Sequence, residues 1–161
     1  MKTKTYNTYK FEELSEESQQ KAIENLYDIN VDYDWYEWVY KDAKNIGLKI
    51  EAFDLDRASY VKGRLTLSPR ECMLAIIKEH GKDGETHKDA VKYLAKLDAL
   101  DLDSKDYDDQ FEDLVTEFIY DLKEDYLIIL TKEYEYLTSK EAIIEIIKSN
   151  DYDFTVNGKI D

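Results

Sequence analysis

From Tyr107 onward apolar residues return every three or four positions: Tyr107, Phe111, Leu114, Phe118, Leu122, Tyr126 and Ile129. That is the stripe a helix buries, and it predicts one long helix from about Ser104 to Tyr136. Asp106, Asp109, Asp113, Glu117, Asp121 and Glu124 recur at the same spacings on the other side. The apolar stripe is clean only as far as Leu122. Asp125 falls on its buried side and Leu127 to Leu130 is apolar all round, so either the helix bends there or its second half lies inside the fold and Asp125 requires a partner.

Earlier in the chain the pattern changes repeatedly. Lys4 to Phe11, rich in Thr and Tyr, reads as a short strand. Ser15 with Glu16 and Glu17 marks a helix start, with Ala22, Ile23 and Leu26 on the apolar side and an end near Tyr27. Tyr33 to Ile46 reads as a second helix closed by Gly47. Trp35, Val39 and Ile46, with Trp38 beside them, share its inward face, and Tyr36 and Tyr40 lie on another. Leu48 to Leu67 is a hairpin turning near Asp56 to Ser59. Leu48, Ile50 and Ala52 are out of phase with Phe53 and Leu55, which calls for a bulge near Ala52. In its second strand Val61, Leu65 and Leu67 point one way, Lys62, Arg64 and Thr66 the other.

Ser68-Pro69-Arg70-Glu71 opens a third helix that stops at Gly81. Thr86 with Asp89 repeats the capping pattern for a helix through Val91, Leu94 and Leu97. After the long helix, Thr138 to Glu141 is a further capping box before Ile143, Ile144 and Ile147, and Asn157-Gly158 suits a final turn. These elements predict an α+β fold: one mostly helical domain with a long amphipathic helix and a small antiparallel sheet, built from the central hairpin and the terminal strands.

Composition adds a compartment. At 161 residues, 43% hydrophobic and 13% aromatic, the chain can bury a core despite 37% charged residues. The lone Cys72 forms no intramolecular disulfide and suits a reducing cytoplasm. The opening residues lack the apolar run of a signal peptide, and Tyr126 to Leu130 is too short to span a bilayer, so a soluble intracellular protein with no membrane partner is expected.

The net charge of −15 is unevenly spread. Residues 1–40 carry 4 basic and 9 acidic side chains, residues 41–96 carry 12 and 9, and residues 97–161 carry 6 and 19. Such a field favours basic partners and opposes duplex DNA and anionic lipid.

Candidate chemistry is sparse. No glycine-rich phosphate loop or nucleophile motif is present, so neither catalytic residues nor a cofactor are assigned and the chain is read as a non-enzyme. His80 and His87, with Asp83 and Glu85, lack a metal-ligand spacing and are read as surface histidines. Asp101, Asp103 and Glu112 match three positions of a calcium loop, but Lys105 and Asp106 occupy positions that need an oxygen ligand and a glycine, and no metal is assigned. Asp54, Asp56 and Arg57 read as a solvated turn with an ion pair.

Two surfaces remain for binding. Asp106 to Glu124 spans about 27 Å at 1.5 Å per residue, placing its six carboxylates roughly 5 Å apart, against ~3.4 Å between phosphates of one DNA strand. The row imitates the charge of nucleic acid, not its spacing. The alternative surface is Tyr36 and Tyr40 with Lys62 and Arg64, suited to a protein or an RNA held by an effector.

TYKFEELSEESQQKAIENLYDIN, DYDWYEWVYKDAKNIGLKIEAFDLDR and EYEYLTSKEAIIEIIKSNDYDFTVNGKI resemble small acidic proteins encoded by bacteriophages and prophages. The resemblance supplies no catalytic motif. It implies the cytoplasm of a host cell, and an inhibitor of a host nucleic-acid-handling or CRISPR-type defence protein. The partner is then a basic host protein or ribonucleoprotein effector, engaged by the acidic row or by the alternative surface. An antitoxin or small-molecule sponge is a third class without a specific signal.

Overall fold

The stripe that begins at Tyr107 is one unbroken helix in the computed structural model, which describes residues 7–161. In chain order the elements are α1 (Glu16–Asn25), α2 (Glu37–Asn45), β1 (Leu48–Asp54), β2 (Tyr60–Leu65), α3 (Pro69–Glu79), α4 (Glu85–Asp98), α5 (Tyr107–Leu137) and α6 (Lys140–Asn150), with a 3-10 turn at Phe11–Glu13. The fold is α+β and mostly helical, with a long helix and a two-stranded antiparallel sheet. Two compact units divide the chain: one takes Tyr36–Lys132, the other the residues up to Trp35 together with Glu133–Asp161.

In the unit built from the chain's two ends, Phe11, Leu14, Ala22, Ile23, Ile143, Ile147 and Phe154 form the core. Ser15 caps α1 by accepting from the Ser18 amide at 3.1 Å. Ser139, and not Thr138, caps α6, accepting from Ala142 N at 3.2 Å. The expected first strand falls partly outside the described residues. Of the rest, Tyr9 exchanges both backbone hydrogen bonds with Phe154 (2.9 and 2.8 Å), and Phe154 also bridges Ile160, while Phe11 has already turned into the 3-10 segment. Gly158, at φ +81°, makes the final turn; a Cβ there would collide with the Ser18 carbonyl of α1.

In the other unit α2 begins at Glu37, later than the periodicity suggests; Trp35 belongs to the first unit, where it packs on Tyr134 (5.7 Å between rings). The buried side of α2 is Val39, Ala43 and Ile46; Trp38 is half exposed, the small Ala43 taking the inward position one turn beyond Val39. Gly47, at φ +91°, follows the helix end.

The hairpin contains the expected bulge. Ile50 pairs with Gly63 and Ala52 with Lys62, leaving Glu51 as the extra residue. The insertion restores phase, so Leu48, Ile50 and Phe53 share one face with Val61 and Leu65. A Cβ on Gly63 would stand 2.5 Å from the Lys49 carbonyl, so the strands approach this closely only with glycine there. Leu67 is partly exposed beyond the strand end.

Ser68 and Glu71 form the predicted reciprocal cap of α3 (both bonds 3.2 Å). The start of α4 differs: Gly84 is its N-cap and Thr86 lies inside the first turn, drawn inward by a hydrogen bond to His80. This sets the buried face as Thr86, Ala90, Tyr93 and Leu97 and leaves Val91 exposed. Helix α5 answers with Phe118, Leu122, Tyr126, Leu127 and Leu130, its Phe118 ring 5.6 Å from that of Tyr93.

A candidate acidic binding face on the long helix

Helix α5 starts where its sequence allows it to. Asp101 Oδ1 accepts from the Asp103 amide at 3.0 Å, a local turn that spends part of the calcium-loop pattern on backbone. The Asp106 carbonyl accepts the Gln110 amide at 2.9 Å, so Asp106 stands at the helix entry, where its charge and those of Asp108 and Asp109 complement the helix dipole.

Of the six carboxylates in the acidic row, Asp106, Asp109, Asp113, Glu117 and Glu124 are exposed, and none forms an ion pair among the described residues. Asp121 departs from the row. It is half buried, accepts a hydrogen bond from the Tyr93 hydroxyl and lies 3.8 Å from Lys92 Nζ. Burial first, then the bond to Asp121, pushes the Tyr93 phenol up. The open row therefore runs from Asp106 to Glu117 and resumes at Glu124.

The helix continues unbroken past Asp125, which lies on a partly buried side of it. Asp125 Oδ2 is buried with no hydrogen-bond donor. Burial first, and then the neighbouring Asp89 carboxyl, push the Asp125 carboxyl up to about 8. The required partner is thus another acid, and the pair is accommodated by keeping a proton.

The alternative surface comes apart. Tyr36 and Tyr40 pack together (4.9 Å) and against Phe53 (5.1 and 6.1 Å). Phe53 belongs to the Val61 face of the hairpin, whereas Lys62 and Arg64 occupy the other face, so sheet pleating separates the two halves. Arg64 also lies 3.3 Å from Glu51.

Sequence reasoning missed a partly buried polar cluster. His80 is not a surface histidine: its side chain is 12% exposed, with Nε2 3.1 Å from Asp42 Oδ2 and Nδ1 2.6 Å from Thr86 Oγ1. Asp42 also accepts from the Tyr126 hydroxyl at 2.8 Å. His80, and next Tyr126, hold the Asp42 carboxyl below its usual range against the opposing effect of burial. Carboxylate, imidazole and hydroxyl stand in the order of a catalytic relay, but Thr86 is only 7% exposed, which closes its oxygen to a substrate. The cluster clasps α2, the end of α3, α4 and α5. Cys72 is equally closed, buried with its thiol pushed up to about 12. Among the described residues no group of three or more His, Cys, Asp or Glu is arranged to hold a metal ion, and no helix is long and apolar enough to cross a membrane.

No family model, curated protein or solved structure matches the chain.

Proposed function

We propose that the chain is a non-enzymatic inhibitor that lays the N-terminal half of α5 into a basic, nucleic-acid-binding surface of a bacterial host protein, in line with its resemblance to phage-encoded acidic proteins. One observation carries this reading: Asp109, Asp113 and Glu117 stand exposed on successive turns of a regular helix with no cation of the described chain neutralising them. Like charges at this spacing cost roughly 0.2–0.5 kcal/mol per pair. Docking against Lys and Arg removes that cost and adds long-range attraction.

The test uses the full chain as bait in a bacterial lysate, followed by DNA-binding assays on whatever basic protein is captured. Wild type displaces DNA from the partner, and its grip weakens steeply with salt. Reversing Asp109, Asp113, Glu117 and Glu124 to Lys abolishes displacement while circular dichroism stays unchanged. Displacement retained by this variant defeats the reading. Asp121 is left out of the set because it holds Tyr93.

A further inference from the structure

Helix α2 carries a second, chemically opposite face. Its inward side is Val39, Ala43 and Ile46; on another side Glu37, Tyr40, Lys41 and Lys44 follow one another at helical spacing. With Lys49 and Ile50 of β1 and Thr66 beyond β2, they line a groove of about 540 Å³. Its lining combines the Tyr40 ring with three lysines and one carboxylate, Glu37, over the buried Ile50. Lys41 is 3.7 Å from Glu37 in an exposed pair, while Lys44 and Lys49 have no acidic partner among the described residues. In a chain of net charge −15, a groove bordered by three lysines selects for an anion that the rest of the surface repels.

The ring is a built wall. Tyr40 is held by Tyr36 at 4.9 Å and by the edge of Phe53 at 6.1 Å, and still reaches the groove. A fixed aromatic face offers stacking to a planar group, which an acidic peptide side chain does not present. Lysines without arginine act as point charges toward phosphate, and the volume lies in the range of small-molecule pockets and not of a protein footprint.

We propose that this groove binds a nucleoside phosphate, with the base against Tyr40 and the phosphates on Lys41 and Lys44. Lys49, which the ladder places on the Arg64 side, and the Thr66 hydroxyl stand at its margin. The site is independent of the acidic face of α5 and of the function proposed for it.

Calorimetric titration of the full chain with ATP, adenosine, tripolyphosphate and a Glu-rich peptide tests the assignment. ATP binds, and adenosine and tripolyphosphate each bind at least about tenfold more weakly, because each keeps half of the contacts. The double variant Lys41→Glu/Lys44→Glu and the single variant Tyr40→Ala lose ATP by a similar factor with unchanged circular dichroism, and Tyr40→Phe retains it. Absence of ATP binding, equal ATP binding by the double variant, or tripolyphosphate or the peptide binding as tightly as ATP overturns the proposal.

Discussion

Asp113 and Asp125 are the same residue type on the same helix, yet they do opposite things. Asp113 projects into water, meets no cation of the described chain and is free to meet one elsewhere. Asp125 is turned toward α4, where burial and Asp89 force it to hold a proton. Asp121, between them in position, takes a third course by accepting from Tyr93. A carboxylate's role here follows from its angle around the helix axis, and the total charge of −15 conceals three kinds of acid.

The contrast is broken most severely at the buried end. Asp42→Ala leaves the buried Tyr126 hydroxyl without its acceptor and should cost about 3 kcal/mol in urea unfolding, whereas Asp113→Ala should change stability by less than about 0.5 kcal/mol. Equal losses would erase the distinction.

Asp125 gives the next largest effect, and its sign is definite. Its carboxyl sits at about 8 in the folded chain, against roughly 3.9 in an unfolded one, so the native state holds an extra proton between these values. The stability it contributes is fully present below the unfolded value and is lost as pH rises toward the folded one. Asp125→Asn should therefore gain on wild type from about pH 5 to about pH 8, by about 1–2 kcal/mol once the water reaching this half-buried group is allowed for. Parallel melting curves for the two proteins across that range would refute this.

Smaller again is the exposed row. Replacing Asp113, Glu117 and Glu124 with Lys should raise the free energy of unfolding slightly at low salt, by at most about 1 kcal/mol, and this gain should vanish at high salt. Smallest of all, Lys62→Ala and Arg64→Ala should each change stability by less than about 0.5 kcal/mol, and neither should affect displacement of DNA by the acidic face.

What the sequence made legible was whatever depends on near neighbours. The caps at Ser15 and Ser68, the bulge between Ile50 and Ala52, the glycine after α2 and the acidic stripe of α5 are all set by local spacing. The clasp of Asp42, His80, Thr86 and Tyr126 was invisible, since its members lie on four elements and meet only after packing. The same bond explains the misread start of α4: Thr86 has the chemistry of a cap but is more strongly engaged by a histidine six residues earlier. Trp38 stays half exposed because Val39, Ala43 and Ile46 set the inward face, and Trp38 lies one residue, about 100°, around the helix from it. Asp121 looked like its neighbours because nothing in its own helix announces Tyr93.

Glu51 is a spacer that the hairpin could do without. Deleting that single codon would let Ala52 and Phe53 follow Ile50 directly, still opposite Lys62 and Val61, so Phe53 would keep its face and Tyr36 and Tyr40 the ring that holds them. What the extra residue adds is a local bend and a stronger twist in β1, together with a carboxylate beside Arg64. The pairing is spelled in full without this letter.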